Sequence, residues 1–186
     1  MTVLTPANQL TLLRMFLIPA FVILVVYGYL GSALAVFVTA GITDALDGVI
    51  ARRSGQKTTL GAWLDPMADK LLLVTTFIVL TLPGLGLANR LPIWLTVLII
   101  SRDVGIVLTV AIVNFAVGRR TFQPSIYGKT ATATYIMTAV AAMLFNYLGY
   151  HSAVVDFGIF ASLAITLISG FHYIWHAARI FDAPVS

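Results

Sequence analysis

The sequence predicts an all-α integral membrane protein with six transmembrane helices, in a single domain over residues 1–186. Of its residues, 60% are hydrophobic and only 10% are charged, and the mean hydropathy is +0.98. Soluble domains are about half apolar and a quarter charged. Several apolar runs reach the ~20 residues that a helix needs to cross a hydrocarbon core. Their unbroken apolar character favours helices over a barrel, whose strands would alternate.

The six predicted spans follow one another along the chain and are separated by short joints. Gly28 and Gly31 lie between the first two spans, Pro83 and Gly84 between the third and fourth, and Gly149 between the last two. Glycine and proline are typical of such interruptions. The first span lacks a small-residue cleavage site, so we expect it to be retained. The spans are predicted at 10–30, 32–51, 60–82, 91–117, 125–148 and 154–178.

The composition also excludes several kinds of site. The sequence contains no cysteine, so it offers no disulfide, thiolate metal site or cysteine nucleophile. Its net charge is +4, but the basic residues are divided among short joints and form no single patch. This distribution favours membrane lipid headgroups as partners and speaks against nucleic acid.

Lysine and arginine are concentrated in alternate joints, which predicts the orientation of the chain. Cytoplasmic joints of membrane proteins carry an excess of these residues. We therefore expect a multi-pass protein of the inner membrane with both termini in the cytoplasm. The joints on the opposite side contain only Arg90, whereas the predicted cytoplasmic joints and tail contain Arg52, Arg53, Lys57, Arg119, Arg120 and Arg179.

Four aspartates lie near one membrane surface, although the chain has only seven acidic residues. Asp44 and Asp47 are three positions apart at the end of the second span, and Asp65 and Asp69 are four apart at the start of the third. Each pair shares one helix face. Because a charge at membrane depth costs roughly 2.5–3.5 kcal/mol on insertion scales, we expect positive charge among them.

The four aspartates offer oxygen ligands, which suit hard cations such as Mg²⁺, Mn²⁺ or Ca²⁺. Two such ions form a common clamp for displacement at phosphorus, so the cluster predicts phosphoryl-transfer chemistry. The alternative is that the aspartates cap helices or form structural ion pairs, and Asp65 before Pro66 has the form of a helix start. The basic partners for such pairs would be Arg52, Arg53, Lys57 and Lys70.

Small residues beside the aspartates leave room for a ligand. Gly48 and Ala51 lie about one turn apart on the second span, and Gly61 opens the third. They permit close backbone approach where a diphosphate and a nucleotide would fit, within reach of Arg52. The alternative interpretation is tight helix packing, for which small residues are also common in membranes.

The spacing of these residues resembles a known family signature. From Asp44 to Asp69 the order is D-x2-D-G-x2-A-R-x8-G-x3-D-x3-D. That order resembles the signature of the CDP-alcohol phosphotransferase family at every specified position. A second pattern lies near the amino terminus and consists of Asn8, Leu10, Thr11 and Arg14. It resembles the pattern Asn-x-Leu-Thr-x-x-Arg of phosphatidylglycerophosphate synthases and cardiolipin synthases.

The resemblance implies the six-helix CDP-alcohol phosphotransferase fold, commonly a homodimer, with a site that opens to the cytoplasmic leaflet. It implies binding of CDP-diacylglycerol through two divalent ions, Mg²⁺ or Mn²⁺, and transfer of the phosphatidyl group to an alcohol with release of CMP. By the same resemblance, Asp44, Asp47 and Asp65 are metal ligands, and Asp69 is a metal ligand and general base. The residues around the nucleotide diphosphate would be Gly48, Ala51, Arg52 and Gly61.

The acceptor alcohol depends on basic residues of the fourth and fifth spans. Arg102 and Lys129 are candidates for binding an acceptor phosphate. The alternative for Arg102 is an ion pair with Asp103 or with the cluster of four aspartates. Segment 100–104 resembles CMP-forming cardiolipin synthases, which use phosphatidylglycerol, whereas bacterial phosphatidylglycerophosphate synthases usually have Arg-Glu there. We expect glycerol 3-phosphate as the acceptor, with phosphatidylglycerol as the alternative.

A cation or proton transporter is the alternative from another class, because transporters also keep carboxylates inside the membrane. In a transport pathway, however, such residues would be spread across the bilayer, whereas these four cluster near one surface. A lipid-binding scaffold without activity is a third alternative, because geometry decides whether such a site is active.

Overall fold

The computed structural model of the chain describes the backbone at residues 6–54, 59–116 and 125–181. Side chains are described there except at 6–8, 45–54, 59–66, 113–114, 116, 174 and 176–181. These ranges contain six α-helices and no strand, so the predicted all-α fold is confirmed. The helices are α1 Pro6–Val26, α2 Leu30–Ser54, α3 Thr59–Thr81, α4 Ile93–Ala116, α5 Ile126–Leu148 and α6 Ala153–Phe181.

Four helices are long and apolar enough to cross a membrane, counted over the described part of the chain. The apolar windows are Gln9–Val26 in α1, Ile93–Ile112 in α4, Ile126–Leu148 in α5 and Ala153–Tyr173 in α6. Helix α2 has a shorter apolar stretch, Leu30–Asp44. A helix bonds its backbone amides internally, as lipid requires. The chain is therefore a multi-pass membrane protein, while six crossings, the orientation and the inner membrane stay predictions.

Two glycines end helices where the sequence predicts interruptions. Gly28 after α1 and Gly149 after α5 have positive φ angles of 79° and 78°. Beyond Gly28, the amide of Tyr29 donates to the carbonyl oxygen of Leu24 at 2.8 Å. A left-handed glycine followed by a hydrogen bond of this kind to the last helical turn is the Schellman motif. It satisfies carbonyl groups that would otherwise be unpaired at the helix end. These turns rely on glycine because other residues adopt a positive φ only with strain.

The chain divides into two compact units. Unit 1 contains Met1–Arg90 and Ala139–Ser152, and so holds α1, α2, α3 and the end of α5. Unit 2 contains Leu91–Thr138 and Ala153–Ser186, and so holds α4, the first part of α5 and α6. In unit 1, α1 contacts both α2 and α3, and in unit 2, α4 contacts α6. A single domain over residues 1–186 stays a prediction.

Asn89, in the segment after α3, forms a buried polar node in unit 1. Its backbone amide donates to Oδ1 of Asn146 at 2.7 Å, and its Nδ2 donates to the carbonyl oxygen of Tyr150 at 2.8 Å. Its Oδ1 accepts from the amide of Ser152 at 2.8 Å. Because a buried polar group is costly unless it is hydrogen-bonded, these bonds fix the segment after α3 against the turn that follows α5.

Hydroxyl groups join α5 and α6 within unit 2. Oγ1 of Thr138 donates to the carbonyl oxygen of Gly158 at 3.1 Å and lies 3.0 Å from Oγ of Ser162. One turn earlier on α5, the hydroxyl of Tyr135 lies 2.6 Å from Oγ1 of Thr166. A Cβ at Gly158 would meet Oγ1 of Thr138 at 2.9 Å, so the close approach depends on glycine. Polar bonds of this kind between membrane helices contribute about 0.6 kcal/mol each on average.

Candidate active site

Arg14 on α1 is the largest completely buried side chain among the described residues. Thr11 lies three positions earlier on the same helix face and is also fully buried. Both residues belong to the amino-terminal pattern that the sequence shares with the family, and the third member, Asn8, has a side chain outside the described residues. A buried guanidinium is costly unless partners balance its charge.

Two carboxylates pair with the guanidinium of Arg14. Its Nη1 donates to Oδ1 of Asp69 on α3 and lies 3.0 Å from Oδ1 of Asp44 on α2. One nitrogen therefore brings together side chains from three helices of unit 1. The side chains of Asp44 and Asp69 are 42% and 43% exposed, so a ligand can reach them although the guanidinium that holds them is inaccessible.

The structure brings together two of the four predicted metal ligands, Asp44 and Asp69. The side chains of the other two, Asp47 and Asp65, lie outside the described residues. Asp47 belongs to α2 and Asp65 to α3, the helices that carry the converging pair. The predicted diphosphate ligands also have side chains outside the described residues, namely Gly48, Ala51, Arg52 and Gly61.

The chemistry of the Asp44 and Asp69 donor set fits a hard divalent cation. Their Oδ1 atoms contact the same nitrogen, so oxygens from two helices lie within reach of one ion. Carboxylate oxygens are the ligands that Mg²⁺ and Mn²⁺ prefer. The described side chains include no group of three acidic or histidine residues that could hold a metal. Completing such a cage would take Asp47 or Asp65.

Arg102 on α4 is a second buried arginine, with a side chain that is 8% exposed. Its Nη1 donates to Oδ1 of Asp103 at 2.7 Å, so the ion pair considered from the sequence is present. Its Nη2 donates to Oγ of Ser169 on α6. Its buried Nε has no hydrogen-bond partner in the described part of the chain, which leaves one donor for a ligand oxygen.

The start of α5 lies beside the Arg102 guanidinium. Oγ of Ser125 accepts from the amide of Gly128 at 3.1 Å, the bond of a helix N-cap. A Cβ at Gly128 would lie 3.4 Å from Nη2 of Arg102. The next residue is the exposed Lys129, the other predicted acceptor ligand. Both predicted acceptor residues therefore belong to unit 2, at the junction of α4 with the first turn of α5.

An open cavity of about 460 Å³ lies between α4 and α6, with Arg102 in its wall. Most of the wall is apolar, and two glycines, Gly105 and Gly170, line it. A Cβ at either glycine would have no described atom within 4 Å. Packing between the described helices therefore does not account for these glycines, and their missing side chains widen the cavity. A cavity of this character can take an acyl chain.

Two residues contribute to these sites in a way that the sequence did not predict. Positive charge was expected among the aspartates, but Arg14 was not identified as its source, and Ser169 was not singled out. The amino-terminal pattern containing Arg14 was the available signal for the first. Ser169 has no comparable signal, because it is one of several hydroxyl residues along α6.

In a membrane protein, Asp44 and Asp69 brought together on one guanidinium are compatible with a phosphotransferase. The chain matches the family described as CDP-alcohol phosphatidyltransferase over residues 4–175, and it belongs to that family. Enzymes of this family generally depend on divalent metals. The chain is thus a transferase of phospholipid biosynthesis, and the comparisons give no support to a transporter.

Relatives of the chain carry two kinds of name. A Mycobacterium tuberculosis protein named "Probable phosphatidylglycerophosphate synthase" is 34% identical over 181 residues, which cover 93% of this chain and 81% of the relative. "Cardiolipin synthase (CMP-forming)" of Streptomyces coelicolor is 32% identical over 197 residues, covering 99% and 87%. The human protein of that name is 33% identical over 162 residues, covering 77% and 52%. These similarities establish the family but leave the acceptor open.

Proposed function

We propose that the chain transfers the phosphatidyl group of CDP-diacylglycerol to a hydroxyl of a glycerol-containing acceptor and releases CMP. The observation that carries this proposal is the convergence of Asp44 and Asp69 on Nη1 of Arg14. Carboxylates gathered at one point suit a metal-dependent reaction at a diphosphate, whereas a transport pathway would spread them across the bilayer.

In this proposal Asp44, Asp47, Asp65 and Asp69 hold two divalent ions. When bound, Mg²⁺ or Mn²⁺ neutralises charge on the diphosphate and on the departing CMP. Asp69 accepts the proton of the acceptor hydroxyl. The hydroxyl oxygen bonds to the phosphorus that bears diacylglycerol, while the bond from that phosphorus to the bridging oxygen breaks and CMP leaves with the electron pair. The diphosphate is surrounded by Gly48, Ala51, Arg52 and Gly61.

Glycerol 3-phosphate is the first proposed acceptor, with its phosphate bound by Arg102 and Lys129. The buried Nε of Arg102 offers a donor that no described residue uses, and the exposed Lys129 follows a residue that lies beside the same guanidinium. Charge-assisted bonds from such donors to phosphate are strong. The name of the Mycobacterium tuberculosis relative supports this acceptor.

Phosphatidylglycerol is the second proposed acceptor, favoured by the cavity between α4 and α6. The cavity adjoins Arg102 and is lined mainly by apolar side chains, so it suits the acyl chain of a lipid-borne acceptor. Glycerol 3-phosphate has no acyl chain to place in this cavity. The names of the Streptomyces coelicolor and human relatives support phosphatidylglycerol.

A purified-protein assay with CDP-diacylglycerol tests the reaction and the acceptor together. We expect CMP release that requires Mg²⁺ or Mn²⁺, and mass spectrometry of the lipid product identifies the acceptor as glycerol 3-phosphate or phosphatidylglycerol. Gly105→Leu fills the cavity, so it should slow only a reaction with phosphatidylglycerol, by several-fold. Ala111→Leu, on the exposed part of α4 outside the cavity wall, is the matched control. Absence of CMP with both acceptors would contradict the proposal.

The family resemblance also supports a homodimer in the inner membrane with both termini and the site on the cytoplasmic side. Cross-linking in native membranes tests the dimer. A reporter fused after Ser186 tests the orientation, and a periplasmic signal from that reporter would contradict it.

A further inference from the structure

Arg14 places a permanent positive charge where the proposed function needs divalent ions. A guanidinium stays protonated in proteins, and Nη1 of Arg14 contacts Asp44 and Asp69 directly. We propose that Arg14 is an internal counter-cation, which holds these two carboxylates together when no metal is bound and competes with metal for them. The inference rests on the proposed function only in taking Asp44 and Asp69 as metal ligands.

The burial of the three side chains shows that Arg14 is held in place more firmly than the two aspartates. Arg14 is completely buried, whereas Asp44 and Asp69 are 42% and 43% exposed. Helix α1, which carries Arg14, contacts both α2 and α3. The guanidinium is therefore anchored in the packing of unit 1, while the carboxylates can turn toward a ligand at the accessible side. Arg14 acts as a positioning residue for them.

The metal-free site needs such a cation. Without it, carboxylates from α2 and α3 would repel each other and would face a partly desolvated environment, which disfavours charge. A single guanidinium between them reduces both costs, because it attracts both carboxylates and donates a hydrogen bond to Asp69. The side chains of Asp44 and Asp69 then stay together before any metal or substrate binds.

The same charge sets a limit on metal affinity. A divalent ion that binds Asp44 or Asp69 approaches a unit positive charge, and the two repel each other through a medium less polar than water. Four aspartates balance two divalent ions, so Arg14 leaves a loaded site with net positive charge. That charge favours the anionic diphosphate of the substrate, so metal and CDP-diacylglycerol should bind cooperatively.

Metal binding without substrate tests the inference directly. We would measure Mn²⁺ affinity by electron paramagnetic resonance, and the melting temperature with and without Mn²⁺, for the purified wild type, Arg14→Met and Arg14→Lys. Arg14→Met should melt lower without metal, bind Mn²⁺ about tenfold or more tightly because the repulsion is gone, and gain more in melting temperature from Mn²⁺ than the wild type. Arg14→Lys should fall between them.

Arg90→Met is the matched control, since Arg90 is an exposed arginine of the same unit, and it should behave as the wild type. Wild-type Mn²⁺ affinity in folded Arg14→Met would overturn the inference, because a merely structural arginine would change stability alone. If Arg14→Met does not fold without metal, purification in Mn²⁺ should recover the folded variant. If it does not, and Arg14→Lys binds Mn²⁺ with wild-type affinity, the inference is also overturned. These measurements use no substrate, so their outcome does not depend on turnover; the proposed function is tested separately by CMP release in the assay with CDP-diacylglycerol.

Discussion

Unit 1 and unit 2 each bury an arginine that is bonded to aspartate, but the partners come from different parts of the chain. Nη1 of Arg14 contacts Asp44 and Asp69 on two other helices. Nη1 of Arg102 contacts Asp103, the next residue on its own helix. The first arrangement joins three helices through charge, whereas the second balances its charge within one helix and lies in the wall of an open cavity. A buried cation can therefore serve assembly or recognition, depending on where its counter-ion lies.

The largest expected difference between the two arginines is in stability. Arg14→Met should lower the free energy of unfolding by about 3 kcal/mol, the low end for a broken buried ion pair, because its carboxylates are partly exposed. Arg102→Met should cost less, about 2 kcal/mol, because it leaves one carboxylate, Asp103, without its guanidinium and breaks the bond to Ser169, whereas Arg14→Met leaves two carboxylates. Denaturant titration in detergent measures both. Equal losses in the free energy of unfolding would mean that Arg14 contributes no more to stability than Arg102.

Replacing Asp69 in unit 1 should mainly lower kcat, whereas replacing Asp103 in unit 2 should mainly raise KM. Asp69→Asn should reduce kcat by about 10² or more, the usual effect of losing a general base, while CDP-diacylglycerol still binds. Asp103→Asn should mainly raise the KM for the acceptor, since it changes only the surroundings of Arg102. Steady-state CMP release measures both, with Asp156→Asn on α6 as the matched control. Unchanged turnover in Asp69→Asn would remove that residue from its proposed role.

Removing the hydroxyl of Ser169 should have a smaller effect, confined to unit 2. A hydrogen bond to a charged group contributes about 1.5–3 kcal/mol, and the low end corresponds to roughly tenfold in affinity. Ser169→Ala should therefore raise the KM for the acceptor about tenfold and change kcat little. Ser169→Thr keeps the hydroxyl and should restore most of the affinity. An equal loss in both variants would mean that packing, and not the bond to Arg102, accounts for the effect.

The smallest effect is expected at Gly128, beside Arg102. A Cβ there would lie 3.4 Å from Nη2, close to ordinary contact, so Gly128→Ala should fit after a slight adjustment. The helix propensity gain of up to about 1 kcal/mol offsets the cost of that adjustment. The KM for the acceptor should change less than threefold. A larger change would show that the guanidinium position is more tightly fixed than the contact distance indicates.

The order of the helices could be predicted because its signals are local. Apolar runs of membrane length define the helices, and glycine allows the left-handed turns found at Gly28 and Gly149. The convergence of α2 and α3 was also indicated, since helical spacing puts Asp44 with Asp47 and Asp65 with Asp69 on one face each. The described contacts support that arrangement for Asp44 and Asp69, while the metal roles of all four stay predictions.

The cation at the site could not be assigned by local reasoning. Arg14 and Asp69 are 55 positions apart, and no periodicity links residues at that distance. The basic residues closest in sequence to the aspartates were considered as partners instead, and only resemblance pointed to Arg14. Ser169 was missed for a related reason, because a serine in a membrane helix also serves helix packing, as Ser162 does against Thr138. Only the tertiary contacts distinguish the two serines.

The polar node at Asn89 bears on how the protein is made. Its partners Asn146, Tyr150 and Ser152 are synthesised more than fifty positions later, after all of α4, which belongs to the other unit. The first three helices are therefore synthesised early, but unit 1 cannot be completed until α5 and the turn after it have been synthesised. Unit 1, which carries the four aspartates, can therefore complete its folding only after α5 has inserted into the membrane.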